Sequence, residues 1–253
     1  MRILLSNDDG IYAPSLRALY QALSEAGHAV RVVAPLTEQS AVSGSVTVHS
    51  PLRVHELHED NGFCGTAVNG TPVDCIKLAL TTLLSEPPEL CVVGINAGCN
   101  IGTDVFYSGT VGAASEAAMF GIPSVAFSRP VPETEPPLPC ARHAAGLIKA
   151  IDWGRLPPCR VLNVNYPRRL VSEIRGVRVG RMSTTPWEES YEERTDPSGR
   201  PYWWISGYLK RPAGGEDTDI SLIRAGFVAL TPLQVDRTDE ALLRHLQESF
   251  VTS

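Results

Sequence analysis

Long apolar runs are missing from this chain. No stretch approaches the ~18–20 apolar residues of a membrane-spanning helix, so no contact with a membrane is expected. Positive charge is also scarce: 22 Lys and Arg face 28 Asp and Glu, a formal net charge of −6, which disfavours binding to a nucleic-acid polymer. A small phosphate ester stays compatible with that balance, because one local pocket can oppose the overall sign. The six cysteines show neither a C-x-x-C pair nor the density of a secreted disulfide scaffold, and are expected to be reduced thiols packed as small apolar groups. The opening residues, Met1 to Asp9, turn polar and acidic too soon for a secretory signal, so a cytoplasmic location is expected. There is no H-E-x-x-H and no mixed Cys/His ligand spacing, which argues against zinc; His55 and His58 read as a solvated surface pair. The G-x-S-x-G elbow of serine hydrolases and the P-loop pattern are both absent.

What is present is the composition of a globular protein, with 43% hydrophobic and 20% charged residues and a mean hydropathy of −0.03. Its 253 residues suit one large α/β domain or a domain with an extension. Ile3-Leu4-Leu5 predicts a strand ending in the polar turn Ser6 to Gly10, and Leu16, Leu19, Tyr20 and Leu23 form one face of a helix that Gly27 stops. Val30 to Pro35 then reads as a second strand, completing a β-α-β unit with parallel strands. Residues 36–70 read as a long loop or an irregular hairpin. Thr71-Pro72-Val73-Asp74 carries the capping residue, proline and early acid of a helix start. Further strands are expected at Leu90 to Ile95, Ser124 to Phe127 and Arg160 to Val164. Helices are expected from Val111 to Phe120 and around Ala141 to Ile151, with Pro130 to Pro139 as a loop or linker. The pattern is that of a doubly wound, mainly parallel Rossmann-like sheet over residues 1–170. Residues 171–253 read as a C-terminal extension of strands, loops and a terminal helix that reaches a partner subunit. Its aromatic residues Trp203, Trp204 and Tyr208 are expected to pack in a core or an interface.

In an open parallel sheet, ligands bind beyond the carboxyl ends of the strands. Asn7-Asp8-Asp9-Gly10 places two adjacent carboxylates at such an end, and like charges there resist joint ionisation unless a cation lies beside them. Taken alone, the same residues also suit an ordinary turn with a helix cap. Asn96 ends the strand that begins near Leu90, and if that strand neighbours the first, Asn96 approaches Asp8 and Asp9. An all-oxygen set of this kind suits Mg²⁺ or Mn²⁺. Ser108-Gly109-Thr110 opens a helix of small residues whose backbone N–H groups could receive a phosphate, although taken alone the turn reads better as a plain N-cap on a tightly packed Ala/Gly helix.

Several motifs taken together carry a resemblance: Ser6 to Gly10, Gln39-Ser40, Asn69 to Asp74, Gly94 to Gly98 and Tyr107 to Ala114, followed by Asp217-Thr218-Asp219 and Gly226 to Leu233. In this order they closely resemble the SurE family of metal-dependent 5′-nucleotidases. The resemblance implies that Asp8, Asp9, Ser40 and Asn96 hold one divalent cation per subunit, Mg²⁺ or Mn²⁺. It further implies that Asn96 with Ser108, Gly109 and Thr110 contacts the substrate phosphate, with Asp8, Asp9 and Asn96 in catalytic roles. The implied reaction is hydrolysis of nucleoside 5′-monophosphates in a cytoplasmic homodimer or homotetramer; action on 3′-nucleotides or short polyphosphate, and whether water or an aspartate attacks, stay open. Two departures, Ala41 after Ser40 where the family usually has glycine and Cys99 in the Asn96 loop, remove no ligand but bear on loop geometry.

Two rival readings use the same acidic pair. A receiver-like signalling module would need a phospho-accepting aspartate at another strand end, and Asn96 stands after Leu90 to Ile95 instead. A nonhydrolytic nucleotide-binding protein would bind a nucleoside monophosphate and release no phosphate.

Overall fold

The computed structural model describes residues 1–60, 62–185, 187–209 and 215–250. The chain opens with β1 (Arg2–Ser6), α1 (Pro14–Glu25) and β2 (Ala29–Pro35), as the hydrophobic spacing predicts. Proline opens α1, where a missing N–H costs nothing, and Gly27 at φ +81° makes the turn into β2. The ambiguous stretch contains a hairpin, β3 (Val54–His58) and β4 (Cys64–Val68), with β4 pairing parallel to β2. Helix α2 (Pro72–Leu78) starts with a reciprocal cap: the Thr71 hydroxyl accepts from the Asp74 amide, and the Asp74 carboxylate accepts from the Thr71 amide.

Next come β5 (Leu90–Ala97), α3 (Gly109–Met119), β6 (Ser124–Arg129), α4 (Pro137–Ala150) and β7 (Arg160–Asn165). The proline-rich stretch expected to be a linker to Pro139 is in part the first turn of α4. The first N–H groups of a helix have no partner within it, so Pro137 and Pro139 fit there. The remaining elements are β8 (Val177–Val179), the hairpin β9 (Trp187–Thr195) and β10 (Pro201–Leu209), α5 (Asp219–Arg224), β11 (Val228–Gln234) and α6 (Glu240–Phe250).

Nine strands form one sheet in the order β3-β4-β2-β1-β5-β6-β7-β11-β8. From β4 to β7 every pairing is parallel, while β3 and β11 run against their neighbours β4 and β7. This is the expected α/β architecture, with part of the C-terminal region built into the sheet. Leu16, Leu19 and Leu23 of α1 and Ala141, Ala144 and Ile148 of α4 cover one face. Cys75 and Ile76 of α2 and Ala113, Ala114 and Ala117 of α3 cover the other. Burial on both faces explains why the central strands read as continuous apolar runs rather than alternating ones.

The β9–β10 hairpin stands apart as its own two-stranded sheet. Core packing, one of the two expectations for its aromatics, does not occur: Trp203 and Trp204 are 56% and 58% exposed in the single chain. The side chain of Tyr208, and residues 186 and 210–214 of the same stretch, lie outside the described residues. Among the described residues no helix is long and apolar enough to cross a membrane.

Candidate active site

Strands β1 and β5 pair in parallel, with Ser6 opposite Val93, so the residues following each strand share one edge of the sheet. The parallel order rises from β1 to both β2 and β5, which puts the strand-order reversal at β1. Asp8 and Asp9 sit at that edge. Asp8 is buried and locked from α3: its Oδ2 accepts from the Thr110 amide at 3.1 Å, and its Oδ1 accepts a very short bond from the Thr110 hydroxyl. Asp9 is half-buried, and its Oδ2 accepts from the Ala97 amide at 3.1 Å, which ties the end of β1 to the end of β5.

Asn96 reaches this edge through an irregularity in β5. The β5–β6 register shifts between Val93 and Asn96, after which Asn96 and Ala97 again pair with Ser128 and Arg129. Gly94 occupies φ +132° in the irregular stretch, where a Cβ would lie 2.4 Å from the Phe127 carbonyl oxygen, so no larger residue fits. The Asn96 amide nitrogen donates to the Gly98 carbonyl at 2.8 Å, which fixes the flip of the amide and leaves its oxygen without a partner among the described residues.

The loop after β2 closes the group. The Gln39 amide donates to the Asp8 carbonyl at 2.8 Å, placing Ser40 next in the chain beside the acidic pair. Ser40 is exposed, and its hydroxyl donates to Glu38 Oε1 at 2.5 Å, so the hydroxyl oxygen keeps its acceptor capacity. Ala41 follows in the left-handed region at φ 56°, the conformation that glycine would adopt without strain.

At the start of α3 the three expected phosphate contacts differ in how they are used. The Ser108 hydroxyl caps the helix by accepting from the Val111 amide at 3.1 Å. Thr110 spends both its amide and its hydroxyl on Asp8. The Gly109 amide has no partner among the described residues, and a Cβ on Gly109 would lie 3.1 Å from Asp8 Cβ and Oδ2 and 3.3 Å from the Gln39 carbonyl oxygen. Gly109 is therefore the point where α3, the end of β1 and the Ser40 loop meet.

Electrostatics at this edge favour a cation. Burial pushes the Asp8 carboxyl above its ordinary value, opposed by the Thr110 hydroxyl. Burial and then the Asp8 charge raise the Asp9 carboxyl to about 6. Asn7, fully buried beside them, donates from Nδ2 to the Gly10 carbonyl at 2.9 Å, while its Oδ1 finds no partner among the described residues. Surplus negative charge and unpaired oxygen acceptors are what a hard divalent cation would satisfy, so these residues fit one. Among the described residues no three His, Cys, Asp or Glu side chains are placed to hold a metal ion together, so amide and hydroxyl oxygens must complete the set.

Two features have roles that sequence reasoning did not assign, although Asp219 falls within a motif of the resemblance. Asp219, fully buried, accepts from the amides of Gly102 at 2.8 Å, Ser183 at 3.0 Å and Ile220 at 2.8 Å, pinning the loop beyond Asn96 to the approach of the hairpin. Its position after a capping threonine carries no sign of this role, because two of its partners, Gly102 and Ser183, are distant in the chain. Beside the site a cavity of about 890 Å³ opens between Ala41, Asp104 and Tyr107 on one side and Trp187, Tyr191 and Ile205 of the hairpin on the other. The Trp187 indole donates to Asp104 at 2.7 Å and closes one wall. His55 and His58 lie exposed on edge strand β3, as expected. All six cysteines are free, but Cys64 is exposed rather than packed.

The chain matches the family model described as Survival protein SurE over residues 3–189. It is 52% identical over 246 residues to a "5′-nucleotidase SurE" of Nitratidesulfovibrio vulgaris, covering 97% of this chain and 98% of the relative. It is 45% identical over 252 residues to a protein of the same name from Lawsonia intracellularis, covering 100% of each. The solved SurE protein of Aquifex aeolicus superposes with a TM-score of 0.84 at 34% identity, covering 98% of this chain and 99% of that one. A sheet edge with a locked acidic pair, an approaching asparagine and a small-residue helix start thus occurs in a chain that belongs to the SurE family.

Proposed function

We propose that this chain is a metal-dependent 5′-nucleotidase that hydrolyses nucleoside 5′-monophosphates to nucleoside and phosphate. The observation that carries the reading is the convergence of Asp8, Asp9, the Asn96-Ala97 strand end and the Gly109 amide at one sheet edge, in a chain whose relatives carry that activity in their names. Asp8, Asp9, Ser40 and Asn96 would hold one cation per subunit, Mg²⁺ or Mn²⁺. When bound, the cation supplies polarisation of the phosphoryl group and offsets charge on the departing alkoxide.

The protein's own residues then divide the remaining work. Asp8, held by Thr110, is a rigid anchor. Asp9 is held through Oδ2 alone, so its Oδ1 can accept a hydrogen bond from the attacking water and orient it toward phosphorus. Asn96 and the Gly109 amide orient the phosphate, the latter at the positive end of α3. The cavity walled by Tyr107, Trp187 and Tyr191 has the aromatic lining that a nucleoside base would stack on.

Residues 1–170 form the catalytic core in this reading, with 171–253 as the extension through which a homodimer or homotetramer assembles. The exposed aromatic hairpin and the amphipathic α6, whose Leu242, Leu246 and Phe250 are exposed, support that role. A cytoplasmic location accords with six unpaired thiols. The test is phosphate release from nucleoside 5′- and 3′-monophosphates with Mg²⁺, Mn²⁺ or chelator, on wild type and Asp9→Asn. Metal-dependent release, lost in Asp9→Asn, is expected. No release from any substrate under either metal overturns the proposal.

A further inference from the structure

A basic feature lies on the same edge of the sheet, away from the acidic pair. After β7 the chain runs through Tyr166 to Arg168 and Arg169, and these line a cavity of about 410 Å³ together with Cys99, Glu173 and Arg224. Three guanidinium groups face one carboxylate there, in a chain whose overall charge is −6. Neither Arg168, Arg169 nor Arg224 makes an ion pair among the described residues, although most arginines elsewhere do. Uncompensated arginines converging on a concave surface are costly in mutual repulsion and recurrent where phosphate is recognised, because the planar guanidinium matches its oxygens in two-point contacts.

The three arginines are exposed, and two of them are anchored by specific contacts. Arg168 Nη2 donates to the Val131 carbonyl at 2.8 Å, which fixes its charge beside the loop after β6. Arg169 lies flat against Gly226, where a Cβ would fall 2.6 Å from its Nε. Arg224 comes from the last turn of α5. The cavity also joins the candidate active site physically. Cys99 belongs to the loop that begins at Asn96, and its thiol contacts the Tyr166 carbonyl at 3.7 Å. Strand β7 lies three places from β1 in the sheet, so the cluster stands about 14 Å to the side of the acidic pair.

We propose that Arg168, Arg169 and Arg224 form an anion site, distinct from the Asp8–Asp9 centre, that takes a phosphate group. The phosphate comes either from a substrate carrying a second phosphate or from free inorganic phosphate, and the chemistry of recognition is the same for both. Binding itself does not depend on the proposed reaction; only the link to a substrate does.

The first measurement is calorimetric titration of inorganic phosphate into the full-length protein in chelator, for wild type, Arg168→Gln/Arg224→Gln and Asp9→Asn. Binding is expected in wild type and in Asp9→Asn, weakened about tenfold or more in the double variant through loss of charge-assisted contacts, and weakened by added salt. Both arginines are exposed, and Arg224→Glu provides a single-site charge reversal that should abolish binding. Phosphate binding that is absent from wild type, lost in Asp9→Asn, or equal in the arginine variants overturns the proposal.

The second measurement identifies the source, using hydrolysis of adenosine 5′-monophosphate and adenosine 3′,5′-bisphosphate. If the site takes a substrate's second phosphate, KM rises in the double variant for the bisphosphate alone. If it takes free phosphate, added phosphate alters turnover of the monophosphate in wild type beyond simple competition, and that component disappears in the double variant. Neither effect, with the calorimetric difference also missing, removes the site. Loss of all hydrolysis by wild type would instead strike the nucleotidase reading and leave the calorimetric result to stand.

Discussion

Replacing Asp9 by asparagine should make the metal-free protein more stable while removing its activity. Without a cation the Asp9 carboxyl titrates at about 6 against an ordinary 3.8, because burial and the neighbouring Asp8 charge both oppose ionisation. A carboxyl whose folded-state pKa is raised binds its proton more tightly in the folded protein. Its contribution to stability is therefore fully present below pH ~4 and is lost as pH rises through about 6. At pH 7.5 the folded protein carries that loss in full, about 3 kcal/mol if the whole shift counted. Asp9 is only half-buried, and solvent screening reduces this to about 1–2 kcal/mol. Asparagine keeps an oxygen for the Ala97 amide and carries no charge, so Asp9→Asn in chelator should melt roughly 2–8 °C above wild type at pH 7.5. The gain should shrink as pH falls from 6.5 towards 4. Added Mn²⁺ should raise the melting temperature of wild type much more than that of the variant, reversing the order. Thermal melts by circular dichroism at several pH values, with chelator and with Mn²⁺, measure all of this. An Asp9→Asn protein that melts at or below wild type in chelator at neutral pH, or a gain indifferent to pH, would refute the reasoning.

Three further outcomes follow from the same edge of the sheet. Thr110→Val removes the hydroxyl bond to Asp8 but not the amide bond, so it should cost about 1–3 kcal/mol; it should also shift the acid limb of the pH–activity profile upward, because the hydroxyl stabilises ionised Asp8. An unmoved limb, read from phosphate release across pH, would count against Asp8 as a ligand that must be ionised. Gly109→Ala places a methyl 3.1 Å from the Asp8 carboxylate, and kcat/KM should fall by about tenfold or more with little change in melting temperature. Asp219→Ala strands three buried amide donors and should lower unfolding stability by about 3–5 kcal/mol in urea titration, with Asp219→Asn losing less.

The β-α-β opening, the α2 cap and the burial of the central strands were legible because each depends on neighbours within a few residues. Doubly wound topology allowed β1 and β5 to be neighbours without requiring it, and the approach of Asn96 to the acidic pair rested on that condition. Ser40 carried no local signal: it lies in an aperiodic loop and is placed by an amide bond from Gln39 to Asp8, so only the family resemblance named it. The hairpin β9–β10 was invisible for another reason. Strands exposed on both faces have no inside and outside to alternate between, and Trp187 to Thr195 reads as an undifferentiated polar stretch. Thr110 shows a subtler limit. Its position at a helix start suggested a phosphate donor, but burial of Asp8 without a nearby cationic side chain claims both of its hydrogen-bonding groups first. Asp219 and the arginine cavity depend on contacts between segments far apart in the chain, which no window of sequence contains.

The place of β11 in the sheet has a consequence for synthesis. As the chain leaves the ribosome, α1, β5 and α3 can assemble early, but β7 keeps one hydrogen-bonding edge bare until residues 228–234 emerge, and β8, made earlier, can pair only with β11. A nascent or prematurely terminated chain ending before Val228 therefore presents an open, largely apolar strand edge, the template on which other chains add. Quality-control machinery would meet such fragments as aggregation nuclei, whereas the last few dozen residues convert the same edge into the interior of a finished sheet.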